Sequence, residues 1–243
     1  MDSPPRGPRS AAATVEHLRS QSRSRIGPSL ASLLVKLARR TRPGLLSFEG
    51  DGVLFPLAGW ISLFKMMENG NTQIIDFALP GDIVHLATGD GITIEVLEEG
   101  FVAVIPSAQW EQLMQDEPDV LRLVLRESAA ARSRIAERML RLGKGSAEMR
   151  LAYVLLELCL RVTGGNRATS APFHVPLTQQ RIGDFIGLTS VHISRTTRRL
   201  TRLGAIRMTD HLTFELTDVD ALCEIAGFDM DTLRHKILLP MGT

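Results

Sequence analysis

Between Leu177 and Arg202 the chain reads LTQQRIGDFIGLTSVHISRTTRRLTR, and this stretch limits its fold more tightly than any other. Thr178 is a capping residue in front of a short apolar face made by Ile182, Phe185 and Ile186. Gly187 interrupts that face. Thr189 then caps a second run, in which Val191 or Ile193, Thr197 and Leu200 turn toward a core and Gly204 marks the end. Two short helices joined across a glycine turn predict a helix-turn-helix. The segment AIRMTDHLTFELTD that follows reads as two short strands around a turn at Asp210–His211, which is a wing.

The stretch carries five arginines against one acid, Asp184. A helix pair that packed only on its own domain would leave that charge without a partner. In a helix-turn-helix the first turns of the second helix enter the major groove of DNA. Here they present Ser190, Val191, Ser194 and Arg195. Arginine bonds O6 and N7 of guanine together, serine bonds several bases, and valine rests on a thymine methyl. Arg198, Arg199 and Arg202 follow one turn later, where phosphates set affinity and salt dependence.

The rest of the chain divides by charge and texture. Its 243 residues sum to a net charge of only +1, which conceals a basic start, an acidic middle and a basic end. Residues 44–120 hold thirteen acids against Lys65, and residues 131–207 hold fourteen bases against Glu137, Glu148, Glu157 and Asp184. Residues 1–28, rich in Ser, Arg, Pro and Ala, are expected to form a disordered basic tail with little to bury. A short helix is expected over 30–40. From Leu45 to Pro106, short apolar runs alternate with Gly, Asn and Pro turns, the texture of an antiparallel barrel or jelly roll. Helical rhythm starts at Ser107, expected as an N-cap, and Pro118 opens a long helix running to about Lys144. A seam through Leu121, Val124, Ser128, Ala131, Ile135 and Leu142 suits pairing with a second copy, although Arg138 lies on it too. Ser146 caps a third helix. The expected fold is α+β: a tail (1–28), a β-roll (29–115), a dimerisation helix (116–144) and a winged helix-turn-helix domain (145–243).

LTQQRIGDFIGLTSVHISRTTRRLTRLGAI resembles the DNA-binding helices of the cyclic-AMP receptor protein / fumarate-nitrate regulator (CRP/FNR) family of bacterial transcription regulators. GWISLFKMMENGNTQIIDFALPGDIV resembles that family's β-roll with its PGD turn. ARSRIAERMLRLGKGSAEMRLAYVLLEL resembles its dimer helix and the hinge that follows. The resemblance covers roughly residues 45–228 in the family's order. It implies a homodimer on a palindromic operator, with Ser190, Val191, Ser194 and Arg195 reading bases. Thr178, Gln179 and His192 fall at backbone-contacting positions, and RNA polymerase is the implied protein partner.

Three departures shape the expectation. The family's cyclic-nucleotide binders hold the phosphate with an Arg–Ser pair after the PGD, whereas GDIVHLATGDGITIEV has no arginine and carries Asp82, Asp90 and Glu95. Neither cAMP nor cGMP is expected to bind there. Residues 1–158 hold no cysteine, which excludes the cysteine-ligated iron–sulfur cluster of the oxygen-sensing branch on ligand count. Val191 stands where relatives reading TTGA-type half-sites carry glutamate, so the half-site differs. No cofactor and no metal are expected. Two rival readings remain: a sensor or scaffold working through protein contacts, and a haem- or small-molecule-gated regulator using His85. No nucleophile–base–acid set indicates an enzyme. Cys159 is expected in a core and Cys223 is a candidate for redox sensitivity. No apolar run approaches the roughly 20 residues of a membrane span, and the expected location is the cytoplasm.

Overall fold

A computed structural model describes residues 10–20, 26–164, 172–210 and 213–238. The chain forms two compact units, whose boundary falls between Ser128 and Ala129. In the first, β3 (Gly52–Ala58) and β8 (Gly100–Pro106) pair antiparallel at the centre of one four-stranded sheet. They are flanked by β1 (Ala38–Thr41) and β6 (Val84–Leu86) in the order β1-β8-β3-β6. The facing sheet runs β2-β7-β4-β5, built from β2 (Gly44–Leu45), β7 (Thr93–Val96), β4 (Ile61–Met66) and β5 (Thr72–Ala78). This is the expected β-roll.

Strand β3 shows why GVLFPL is continuously apolar instead of alternating. Leu54 enters the interior between the sheets beside Ile61, Ile94 and Val102. Val53, Phe55 and Leu57 point the other way, onto a layer of helices. A strand covered on both faces has no solvent side to signal. The covering helices are α1 (Ala11–Ser20), α2 (Pro28–Leu37), α3 (Ser107–Asp116) and the start of α4 (Pro118–Lys144). Trp110 of α3 meets Phe55 edge-on, with ring centroids 5.5 Å apart.

Three local expectations are corrected here. The tail expected over residues 1–28 contains α1, because Val15 and Leu18, one turn apart, bury against Leu30 and Leu34. Residues 1–9 and 21–25 of that expectation lie outside the described residues. The second helix stops at Leu37, and Arg39 and Arg40 continue as β1, paired with Val102 and Phe101. Ser107 is the first residue of α3, and the residue before it, Pro106, has no capping side chain.

The second unit contains the end of α4, α5 (Ala147–Val162), α6 (Gln179–Ile186), α7 (Ser190–Arg202), α8 (Val219–Ala226) and α9 (Met230–Leu238). A three-stranded sheet joins them in the order β10-β11-β9, from β10 (Ile206–Met208), β11 (Thr213–Leu216) and β9 (Phe173–His174). The paired β10 and β11 are the expected wing, with Arg207 opposite Glu215; its turn at His211 lies outside the described residues. Eleven residues of α5 are buried, which makes it the central helix of this unit.

Candidate nucleic-acid interface

Local chemistry places both helices of the motif. The Thr178 hydroxyl accepts from the Arg181 amide at 3.2 Å, and the Thr189 hydroxyl accepts from the His192 amide at 3.3 Å. Each satisfies a first-turn N–H that the helix itself leaves open. Gly187 ends α6 in the left-handed region (φ 67°). The turn then folds back so closely that a Cβ on Gly183 would lie 2.3 Å from the Leu188 carbonyl oxygen. The Gly183 carbonyl meanwhile accepts the Leu188 amide at 3.0 Å. Gly183→Ala is therefore expected to cost about 2 kcal/mol of stability, read as a lower urea midpoint.

On α7, Ile193, Thr196, Thr197 and Leu200 are buried. Of the two residues the sequence offers for the core position, Ile193 takes it, and Val191 is 57% exposed. At about 100° per residue, Val191, Arg195, Arg198 and Arg202 form one stripe directly opposite the buried face. All four are exposed. Ser190 and Ser194 are half-buried on one flank of the stripe, and His192 and Arg199 are exposed on the other. Beside the stripe, Thr197, Arg198, Thr201, Arg202 and Met208 line an open groove between α7 and the wing. Thr178 and Gln179 are exposed at the start of α6. Arg199 does not stand free, since its Nη1 donates to Glu148 Oε1 at 2.8 Å.

An exposed cationic stripe on the second helix, with a wing beside it, is a surface shaped for the DNA major groove. Residues 149–225 match the Crp-like helix-turn-helix domain. The nitrogen fixation regulation protein FixK of Bradyrhizobium diazoefficiens is 31% identical over 159 residues, covering 62% of this chain and 64% of that protein. The transcriptional activatory protein AadR of Rhodopseudomonas palustris is 30% identical over 188 residues, covering 73% of this chain and 77% of that protein. The chain belongs to the CRP/FNR family. Its fold is also that of FixK2 from Bradyrhizobium japonicum, with a TM-score of 0.68 at 24% identity over 77% of this chain and 96% of that one. The protein is thus a CRP/FNR-type transcription regulator with a helix-turn-helix DNA-binding domain.

Behind the interface of this CRP/FNR regulator lies a buried charged framework that sequence reasoning missed. Arg138 Nη1 donates to Glu157 Oε1 at 2.9 Å, and Arg161 Nη1 reaches the same oxygen at 3.3 Å. Arg138 also lies over the Phe185 ring of α6, 4.3 Å from its centroid. Arg141 is held between the rings of Tyr153 and Phe228, at 4.1 and 4.4 Å, and donates to the Ala226 carbonyl. Arg150 donates to the carbonyls of Leu142 at 2.8 Å, Gly145 at 3.1 Å and Ile186 at 3.3 Å, which caps the negative ends of both α4 and α6. The one signal in the sequence was Arg138, a charge on an otherwise apolar seam.

One residue of that seam needs correction. Val124 is buried in the chain's own core, and Ala131, Ile135 and Leu142 are half-buried. Leu121 and Ser128 are exposed, and the large apolar residues left uncovered on α4 are Leu121, Leu125, Met139 and Leu140.

His85 is the exposed residue of β6, between buried Val84 and Leu86, so it faces away from the interior of the roll. Burial pushes the Cys159 thiol up to about 11. Burial, then the charges of Asp220 and Asp229, raise that of Cys223, which disfavours the thiolate that redox chemistry requires. Among the described residues no group of three or more His, Cys, Asp or Glu is placed to hold a metal ion, and no helix is long and apolar enough to cross a membrane.

Proposed function

We propose that this regulator works as a homodimer on a palindromic operator whose half-sites lie about one helical turn apart, without cyclic AMP. The observation that carries this reading is the exposed stripe of Val191, Arg195, Arg198 and Arg202. Arg195 and Val191 read base edges, with Ser190 and Ser194 beside them. Arg198 and Arg202, with Thr178, Gln179, His192 and Arg199, meet phosphates. The second copy covers Leu121 and Leu125, which α4 otherwise leaves in water. The similarity to AadR, a transcriptional activatory protein, supports RNA polymerase as the bound dimer's protein partner. The activity is binding rather than catalysis, and its place is the cytoplasm.

Independence from cyclic AMP rests on the loop after β6. The Thr88 amide donates to Asp51 Oδ1 at 2.6 Å, and the Ile92 amide donates to Asp90 Oδ1 at 2.7 Å. Two amides of the segment that would cradle a cyclic phosphate are thus already bonded to carboxylates. The hydrogen bonds from Thr88 hold the Asp51 carboxyl below the usual carboxylate range, so it is ionised at neutral pH. A phosphate entering there meets negative charge and no arginine.

The test is selection of binding sites from random duplex DNA by the whole chain with no ligand added. A two-fold-symmetric sequence is the expected product. Leu125→Glu should sediment as a monomer and lose that product. Salt-sensitive binding without sequence preference would refute an operator-competent free dimer, and micromolar cyclic AMP binding by calorimetry would refute the nucleotide independence.

A further inference from the structure

Among the described residues, Arg199 is the α7 arginine that meets a carboxylate, and that carboxylate is anchored. Glu148 lies in the first turn of α5, behind the Ser146 cap, where the positive end of the helix favours a negative side chain. Its side chain is 25% exposed, against 64% for Arg199. The acid is therefore held by the domain, and the arginine is the mobile partner tied to it. Around the helix, Arg199 sits about 100° from Arg198 and about 40° from Arg195, at the edge of the stripe on the side of its bond to α5.

We propose that Glu148 is an internal counter-ion that competes with DNA phosphate for Arg199 and so limits sequence-blind affinity. The proposal rests on the DNA-binding reading of this surface. Non-specific binding grows with the number of phosphates that lysine and arginine neutralise. A guanidinium already paired at 2.8 Å must exchange one anion for another, and gains less from the phosphate than Arg198 or Arg202 gains. Once Arg199 approaches a phosphate, Glu148 itself lies within the ~10 Å over which charges act at ordinary ionic strength, and it repels the DNA backbone. Arg195 lies one turn nearer the start of α7, and Glu148 pairs with Arg199 and not with it, so base reading is left in place. The device lowers affinity for all DNA alike and leaves the operator distinguished by its bases.

The experiment uses the full chain with Glu148→Gln, Arg199→Gln and the double substitution. Dissociation constants for the selected operator and for an unrelated duplex are measured across a salt series, together with thermal unfolding. Glu148→Gln keeps the shape and removes the charge. It should bind unrelated DNA about three- to tenfold more tightly at low salt. Its salt slope should steepen by about 0.9 for each copy on the DNA. Its melting temperature should stay level or fall, because a favourable charge at a helix N-terminus has been lost. Tighter binding from a domain no more stable is an effect that a purely structural role does not produce. Adding Arg199→Gln should abolish the gain. Weaker binding by Glu148→Gln would overturn the proposal and make Glu148 the residue that orients Arg199 toward a phosphate. An unchanged affinity and slope would overturn it as well. If the unsubstituted chain bound no DNA at any salt, the DNA reading itself would fail, which is a separate result.

Discussion

Arg195→Ala should sharply reduce discrimination between the operator and unrelated DNA while the proposed dimer stays intact. A bidentate arginine–guanine pair accounts for about 1–3 kcal/mol of discrimination in each half-site. The proposed symmetric dimer would make the contact twice, so the expected loss is about 2–6 kcal/mol of specificity. Non-specific affinity should drop far less, since Arg198 and Arg202 remain on the stripe. Competition binding at fixed salt measures the ratio, and sedimentation measures the dimer. Equal loss on both DNAs would make Arg195 one more phosphate contact. Little change in stability is expected, because Arg195 is exposed.

Glu157→Leu should have the largest effect on stability. The carboxylate is fully buried, and it serves Arg138 and Arg161, whose side chains are 6% and 0% exposed. Removing it leaves two guanidiniums in the interior without the anion they share, at a cost of about 3–5 kcal/mol. Native domains hold only about 5–15 kcal/mol in all, so the DNA-binding unit should unfold at a much lower urea concentration. Replacing all three charges with apolar residues of similar volume should recover most of that loss, because the pairing offsets a desolvation penalty that the apolar set never incurs. A triple variant as unstable as Glu157→Leu would show that the cluster supplies more than compensation of charge.

The parts legible in the sequence are those fixed by neighbours along the chain. Thr178 and Thr189 announce their helices because a cap bonds an amide three residues ahead. Gly187 announces the turn, and the glycine-punctuated runs from Leu45 to Pro106 announce the roll. What escaped depends on residues far apart. Arg138 and Glu157 are separated by the end of α4, a short loop and more than half of α5, and neither names the other as its partner. Val15 and Leu18 look too few for a core until α2 and β3 supply the other side. Val124 fits a seam as well as a core, since a helix buried on its own domain and one buried on a partner show the same period. The role of Gly183 is a close approach of backbone, which leaves no mark on apolar rhythm.

The Arg138–Glu157–Arg161 cluster and the outer stripe of α7 place opposite constraints on descent. Glu157 does not change singly without taking from Arg138 and Arg161 the buried carboxylate they share, so inheritance must keep it or exchange the cluster together. The side chains of Val191 and Arg195 are exposed, so each is replaceable one step at a time at little cost to folding. With Val191 and Arg195 reading bases as proposed, a lineage built on this domain can acquire new operators by small, separate mutations while its frame stays fixed, and a network of controlled genes can be rewired without the regulator passing through an unfolded ancestor.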